Sequence, residues 1–306
     1  MSRHDVSPAL RFGLVEGTIR STFPMFSSLV VELAHNGPVD VIGDHLHGWL
    51  LSVLANRFAA LGDRLHAPER GKPFTVFLGA INPTDFNLGN DHPGSPATHW
   101  LRLTSVDAQL SSVLPEIADS IDVVSLGRYR LSKRRVLSLR DHPLVRLASG
   151  ADLWSNWMAG SEPAGRVKLH FLSPTGFARG REGSTTVLPI GHLVFRSLLK
   201  TWNENVTPPV PDRIAAELLA IVQEEAHRLH TPPPVQFERS RLNGFAGECE
   251  YSCGPRASAE SRRLLHLLTD FAFFAGVGLK RTMGMGQVVG EHLNLNPTPR
   301  RSHRTK

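Results

Sequence analysis

The strongest constraint on the fold is an alternation of strand-like and helix-like segments that occurs twice along the chain. In the first half, apolar runs typical of strands alternate with helical spacing in the order βαββαβ. A unit of this order usually folds as a four-stranded sheet with two helices on one face. The predicted segments are 10–19, 39–60, 74–80, 100–104, 105–118 and 121–139, with the last one broken at Gly127 into one or two strands.

The same order of segments starts again after residue 165. The segments are a strand at 166–172, helices at 191–202 and 211–229, a strand pair at 235–253 turning near Asn243 and Gly244, a helix at 258–275 and a strand at 287–293. We therefore predict an α+β fold with tandem ferredoxin-like (RNA-recognition-motif-like) domains, each a four-stranded antiparallel sheet with helices on one face. The predicted domains span 1–145 and 166–294, with a linker at 146–165 and a basic tail at 295–306.

Charge and cysteine content narrow the functional classes. The 306 residues carry a formal net charge of +6, which favours a polyanionic partner without choosing between nucleic acid, acidic membrane and acidic protein. No run approaches the roughly 18 apolar residues of a membrane span, and the N-terminus has no export signal, so we expect a cytoplasmic protein without a membrane partner. Two cysteines, Cys249 and Cys253, are too few for a four-ligand zinc site, and we predict no metal.

The most specific motif lies between the last predicted helix and the last predicted strand. Residues 276–286 read GVGLKRTMGMG, in which two Gly-x-Gly pairs flank two cations. Such glycines would let backbone amides approach an anion, and phosphate is the natural ligand. The Walker and Rossmann nucleotide patterns both fail here. The predicted binding residues are Gly276, Gly278, Lys280, Arg281, Gly284 and Gly286, and the alternative is a glycine-rich turn needed only for packing.

This loop resembles the C-terminal glycine-rich signature of the CRISPR-associated endoribonucleases that cleave the repeats of precursor CRISPR RNA, which belong to the repeat-associated mysterious protein superfamily. Residues 167–177 (VKLHFLSPTGF) resemble that family's strand and its Ser-Pro-Thr-x-Phe turn. Residues 188–198 resemble its next helix, and residues 244–247 resemble a strand entry. The resemblance covers about residues 166–293 and is looser over the first half, where residues 47–51 and the following loop carry it.

The resemblance implies a catalytic site after the first predicted helix. In the family a histidine follows that helix and a lysine comes a few residues later; residues 65–75 (LHAPERGKPFT) fit, which assigns His66 and Lys72. RNA cleavage without metal removes the proton of a ribose 2′-hydroxyl and protonates the departing 5′-oxygen. Imidazole suits either transfer because its pKa is near 6.5. Lys72 would stabilise the charge that builds on the phosphate oxygens.

A third catalytic group is less clear from the sequence. Many family members carry a tyrosine in the first helix, but the two tyrosines here, Tyr129 and Tyr251, lie outside it. His47 is a candidate second proton-transfer group, with packing at the helix entry as the alternative. Whether His45 or His47 replaces the tyrosine stays open.

The resulting prediction is a metal-independent endoribonuclease without a cofactor. It would cleave precursor CRISPR RNA within the repeat and leave a 2′,3′-cyclic phosphate and a 5′-hydroxyl. The alternative is a catalytically silent guide-RNA-binding member of the same superfamily, acting as a subunit of an effector complex. CRISPR repeat RNA is the expected partner, while an effector complex and a homodimer stay open. Basic residues at 128–135 are further candidates for phosphate contacts.

Overall fold

The computed structural model describes residues 25–35, 39–40, 42–67, 71–79, 98–160, 162–179 and 184–293. The strand predicted at 10–19 and the basic tail at 295–306 lie outside the described residues. No helix within these ranges is long and apolar enough to cross a membrane.

The first domain is a sheet with three helices on one face. Its strands are β1 (Met25–Ala34), β2 (Phe74–Gly79), β3 (Thr98–Ser105), β4 (Val123–Leu126), β5 (Tyr129–Val136) and β6 (Arg146–Ser149), and its helices are α1 (Gly43–Arg57), α2 (Ala59–His66) and α3 (Ala108–Ser120). The strands lie in the order β2-β3-β1-β5-β4 with antiparallel neighbours, and β6 pairs with the first half of β1. Strands β5, β1, β3 and β2 thus have the arrangement of a ferredoxin-like unit, and the β4–β5 hairpin extends its edge.

Strand β1 was not predicted from the sequence, and its burial explains why. Leu29, Val31 and Leu33 pack in the core beneath the helices of the first domain. Phe26 and Val30 point to the opposite face and pack with residues of the second domain. A strand buried on both faces has no alternation of apolar and polar residues, so the periodicity signal is weak.

Helix α4 (Gly150–Met158) and β6 lie in the segment predicted as a linker. Ser149 caps the helix by accepting a hydrogen bond from the Asp152 amide at 3.0 Å. The ring of Trp154 stacks on Trp202 at a centroid distance of 6.1 Å, and the indole of Trp157 donates to Asp270 at 2.7 Å. The connection between the two sheets is therefore folded against the second domain.

The second domain repeats the arrangement of the first. Its main strands are β7 (Arg166–Thr175), β10 (Gln223–His230), β13 (Phe245–Ser252) and β14 (Val288–His292), and its helices are α5 (Gly191–Asn205), α6 (Asp212–Ile221) and α7 (Ala259–Ala275). The strands lie in the antiparallel order β10-β13-β7-β14. Two small hairpins join β8 (Phe177–Arg179) to β9 (Ser184–Thr186) and β11 (Val235–Gln236) to β12 (Arg241–Leu242). The prediction of tandem ferredoxin-like domains is confirmed.

Two predictions within the second domain are wrong. The helix predicted at 211–229 ends at Ile221, and the polar residues that follow form β10 on β13. Residues with helical propensity form an exposed edge strand here because pairing with a neighbouring strand outweighs local preference. The strand pair predicted to turn near Asn243 and Gly244 is also wrong, since the small β11–β12 hairpin turns earlier and β13 pairs with β10 and β7.

Helix α7 packs between the two sheets and sets the position of the loop that follows it. Phe271 and Phe274 contact Phe26 of β1 at ring-centroid distances of 5.4 and 5.7 Å. The glycine-rich segment after α7 therefore emerges beside β2 of the first domain, where a 3₁₀ turn (Arg281–Met283) contacts α1 and β2.

Candidate active site at the domain interface

The start of α1 is held by the second domain. A Cβ atom on Gly43 would lie 2.6 Å from the carbonyl oxygen of Met283 and 2.5 Å from the ring of Phe237, so only glycine fits this contact. Asp44 accepts a hydrogen bond from the Glu238 amide at 2.9 Å. These contacts fix the first turn of α1, which carries His47.

His47 lies half-buried beside the first residue of β2. Its ring stacks on Phe74 with a centroid distance of 6.1 Å and an interplanar angle of 5°. Its Nδ1 atom is buried and has no hydrogen-bond partner within the described residues. Phe74 was not predicted as a site residue, although its place two residues after Lys72 is a signal in the sequence.

Burial and neighbouring side chains affect the titration of His47. Burial lowers the pKa of His47 below 6.5, and electrostatic interactions with Lys72, His66 and Lys280 lower it further, while Asp44 opposes them. His47 is therefore a neutral imidazole at pH 7, able to accept a proton. The structure brings together all three predicted catalytic residues with one predicted binding residue from the other domain.

Lys72 closes the loop that connects α2 to β2. Its ammonium group donates hydrogen bonds to the carbonyl oxygens of Leu65 and Ala67, both at 2.6 Å. These carbonyls lie on either side of His66, the exposed last residue of α2. Partial burial lowers the pKa of Lys72. The lysine thus holds the backbone that presents His66 while keeping a positive charge next to it.

The glycines of residues 276–286 allow the backbone to pack closely on itself and on β2. Gly276, Gly278, Gly284 and Gly286 all have positive φ, between 63° and 93°. The amides of this segment donate to protein acceptors: Val277 to Gly286, Gly278 to the Ser197 hydroxyl, Leu279 to Gly176, Gly284 to Val76 and Gly286 to Pro174. A Cβ on Gly286 would collide with the Val277 carbonyl oxygen. Packing therefore accounts for these glycines, and their contact with RNA stays a prediction.

The two cations of the loop differ in orientation. Lys280 is exposed in a left-handed conformation (φ 53°), and its ammonium lies 5.3 Å from the centre of the Phe237 ring. The guanidinium of Arg281 turns into the loop and donates to the Ala275 carbonyl at 2.6 Å, and burial lowers its pKa to about 10. Lys280 is thus the cation presented to a ligand, while Arg281 holds the loop closed.

Other candidates from the sequence have intramolecular roles. In β5, Lys133 donates to the Ala118 and Asp119 carbonyls at the end of α3, and Arg134 and Arg135 pair with Glu32 at 3.6 and 2.7 Å. These contacts make the basic strand a poorer candidate for phosphate contacts than Lys280.

The histidine and tyrosine alternatives are also separated by the structure. The ring of His45 packs against Gly127 of the β4–β5 turn. Tyr129 lies at the same turn with Arg128 over its ring, and Tyr251 is buried and donates to the Pro189 carbonyl at 2.8 Å. His47 is accordingly the residue of α1 that faces Lys72.

The two cysteines are buried free thiols in the second domain. Burial raises the pKa of Cys249 to about 11 and that of Cys253 to about 12. Across the described ranges, no group of three or more histidine, cysteine or acidic side chains is arranged to hold a metal ion.

Fold and site together define a tandem ferredoxin-like protein with a histidine–lysine site where the two domains meet. The family profile of the CRISPR-associated endoribonuclease Cas6 matches residues 169–288. The CRISPR-associated endoribonuclease Cas6 of Mycobacterium tuberculosis is 29% identical over 124 residues, which are 40% of this chain and 38% of that protein. The chain thus spans little more than a third of the length of the curated relatives that it matches.

Solved structures extend the similarity to the first domain. The Cas6 (TTHB231) product complex has a TM-score of 0.72 and 27% identity, covering 87% of this chain and 99% of the other. The Thermus thermophilus Cas6 (TTHB231) structure gives 0.65 and 27%, covering 87% and 98%. The Cas6 (TTHA0078) product complex gives 0.71 and 26%, covering 87% and 99%. The chain is thus similar to CRISPR-associated Cas6 endoribonucleases, in sequence over the second domain and in fold over both domains.

Proposed function

We propose that this protein is an endoribonuclease that cleaves precursor CRISPR RNA within the repeat. The observation that carries the proposal is that Lys72 is bonded to the backbone on both sides of His66, while the turn after Lys280 of the second domain packs on α1 and β2, which carry His47 and its ring partner Phe74. Two imidazoles and two ammonium groups are the side chains that a metal-independent cleavage of RNA uses for proton transfer and charge stabilisation. The similar solved structures include product complexes and a substrate mimic complex of Cas6.

The reaction assigns one proton transfer to each histidine. His47, neutral because of its lowered pKa, accepts the proton of the ribose 2′-hydroxyl. The 2′-oxygen attacks the adjacent phosphorus, the bond from phosphorus to the 5′-oxygen breaks, and protonated His66 donates its proton to that oxygen. The products are a 2′,3′-cyclic phosphate and a 5′-hydroxyl. The histidines exchange protons with water before the next cycle.

The lysines act on the phosphate rather than on protons. Lys72 is fixed by the Leu65 and Ala67 carbonyls, so its charge is in place before RNA binds. A preorganised cation of this kind stabilises the negative charge that develops on the non-bridging oxygens. Lys280, exposed on the glycine-rich loop, binds a neighbouring phosphate of the strand.

A second candidate function is guide-RNA binding without cleavage, as a subunit of an effector complex. The engagement of the Lys72 ammonium by two backbone carbonyls favours it, since those hydrogen bonds compete with a phosphate. In this case the same surface would bind repeat RNA and leave it intact.

Cleavage of end-labelled repeat RNA in excess EDTA distinguishes the two functions. We expect the wild-type protein to cut at one position, and cleavage to be lost when the ribose 5′ to the cut lacks its 2′-hydroxyl or when His66 is replaced by alanine. His227→Ala on the exposed edge strand β10 is the matched control and should retain full activity. Tight binding without a cut would establish the silent alternative. Loss of cleavage on chelation alone would refute the metal-independent mechanism.

A further inference from the structure

Arg102 of β3 is buried between the two domains, and each of its three guanidinium nitrogens donates a hydrogen bond. Only 1% of its surface is exposed. Its Nε donates to the Ser28 hydroxyl at 3.0 Å, Nη1 to Oε1 of Gln287 at 3.0 Å and Nη2 to the Phe273 carbonyl at 2.8 Å. The guanidinium also lies 4.4 Å from the centre of the Phe273 ring. One side chain from the first domain therefore contacts two separate segments of the second.

A chain of hydrogen bonds continues from Gln287. Its Nε2 donates to the Thr75 hydroxyl at 2.8 Å, the hydroxyls of Thr75 and Thr104 lie 2.7 Å apart, and Thr104 donates to the Phe274 carbonyl at 2.6 Å. Because Thr104 uses its only hydrogen on that carbonyl, it accepts from Thr75, which in turn accepts from Gln287. Each donor hydrogen in this series of hydrogen bonds therefore has one defined acceptor. The chain crosses the domain interface twice.

The network anchors both ends of the glycine-rich loop. Phe273 and Phe274 end α7 just before Gly276, and Gln287 directly follows Gly286. On the other side of the interface, Thr75 is the third residue after Lys72. The Gly284 amide adds a backbone hydrogen bond to the Val76 carbonyl at 3.0 Å. The loop that carries Lys280 is thereby registered against the strand that begins beside Lys72.

The chemistry of Arg102 is better suited to fixing the position of the glycine-rich loop relative to β2 than to stabilising the fold. Its hydrogen bonds go to neutral oxygens, and burial lowers its pKa to about 9. Burying a cation costs desolvation energy, and an apolar side chain of similar volume is often as good for stability. The guanidinium group, in contrast, has five N–H donors in fixed directions within one plane. Its hydrogen-bond acceptors must therefore lie in a defined arrangement.

We infer that Arg102, Gln287 and Thr75 are positioning residues that hold the glycine-rich loop in register with the strand following Lys72, so that the two halves of the site act on one RNA strand. The effect on cleavage rests on the proposed function, whereas the effect on the loop does not.

The test compares Gln287→Met and Thr75→Val, which remove the hydrogen bonds at nearly constant volume, with Thr269→Val as the matched control. Thr269 is fully buried and donates to the Leu265 carbonyl within α7, so its variant also loses one buried hydroxyl. The first readout is hydrogen exchange of the Gly284 amide in the free protein. We expect exchange to be about tenfold faster or more in both interface variants and unchanged in the control.

The second readout is single-turnover cleavage at saturating repeat RNA. We expect a loss of about tenfold or more in the interface variants, because small displacements of catalytic groups slow a reaction strongly. Affinity for the 2′-deoxy substrate should change by less than about threefold, since Lys280 and the other contacts remain. A variant that only weakens the fold would leave the rate of the bound, folded complex unchanged. Arg102→Lys, which keeps the charge and loses the fork, should behave like Gln287→Met.

Exchange at Gly284 and cleavage rates equal to those of Thr269→Val would overturn the inference. An inactive wild-type protein would count against the proposed function alone, and the exchange measurement would then still decide whether the network positions the loop.

Discussion

The two domains share one strand order but differ in what covers the face of the sheet away from their own helices. In the first domain that face is closed by the second domain, so Phe26, Val30 and Arg102 are buried. In the second domain it carries polar side chains paired across the strands: Lys168 forms an ion pair with Glu250 at 3.3 Å, and His170 is hydrogen-bonded to Glu291 at 3.0 Å. Among the residues that the structure describes, neither face carries an exposed phenylalanine, tyrosine or tryptophan ring of the kind on which RNA-recognition domains stack bases. The comparison shows that in this fold the loops, rather than the faces of the sheets, are available for ligand binding.

The loops of the two domains divide the proposed work. In the first domain, the connection between β1 and β2 forms two helices, α1 and α2. The end of α2 carries His66 next to Lys72. The corresponding crossover of the second domain, α5 and α6, leads to an edge strand, and it is the turn after α7 that reaches the interface with Lys280. In the proposed reaction, the first domain therefore supplies the proton-transfer groups, and the second supplies a loop that exposes Lys280.

The largest expected effect comes from the pair of histidines on α1. His47→Ala should slow single-turnover cleavage about 100- to 10,000-fold without weakening RNA binding, because it removes a proton acceptor. His45→Ala, two residues away but packed on Gly127, should change the rate little. Equal losses in both variants would show that the first domain does not place its base at residue 47.

The next effect concerns acid stability and depends on two buried histidines, His142 in the first domain and His266 in the second. Burial lowers the pKa of His142 and of His266 to about 4, with the charge of Arg102 contributing at His142. Both groups bind protons more tightly when unfolded, so the stability present above pH 6.5 is lost as the pH falls toward 4. The slope approaches about 1.4 kcal/mol per pH unit for each histidine.

Urea unfolding at pH 7, 6 and 5 measures this slope. His266→Gln should reduce this slope, because it removes the buried imidazole of the second domain. In the wild-type protein that ring is hydrogen-bonded to the Ala164 carbonyl and to His292. A free energy of unfolding that does not change between pH 7 and 5 would contradict the assignment.

The two cations of the glycine-rich loop should respond in opposite ways. Lys280→Ala should weaken RNA binding and reduce the salt slope of the affinity by about one, with little change in stability. Arg281→Ala should cost about 1.5–3 kcal/mol of unfolding free energy, because the Ala275 carbonyl loses a charged donor. Binding titrations at several salt concentrations and denaturant unfolding of both variants separate these outcomes. Reversed results would place Arg281, not Lys280, on the ligand.

The smallest effect is on the titration of His47. Lys72→Met removes the largest charge that lowers its pKa, so the pKa should rise toward 6.5. NMR titration of the ring, assigned with His47→Gln, measures the shift without RNA. An unchanged pKa would mean that burial alone sets it and that Lys72 lies too far away to act on the same phosphate.

The sequence predicted the parts of the fold that depend on local pattern. Helices α3, α5 and α7 and strands β2, β3, β7 and β14 lie within a few residues of their predicted positions. Strand β1 was not predicted because both its faces are buried. Strand β10 was not predicted because it is a polar segment with helical propensity that pairs at a sheet edge. Both errors arise where a neighbour far along the chain decides the local conformation.

For the site, the resemblance to a known family assigned His66 and Lys72, whereas the two cations flanked by glycines at 276–286 were a local signal in the sequence itself. The choice of His47 over His45, and of Lys280 over Arg281, was decided by the tertiary structure. The contact of Arg102 with Gln287 has no signal in the sequence, since it joins residues on strands of different domains. The physical reason is that side-chain direction and burial are set by what packs against a segment, which only the folded chain determines.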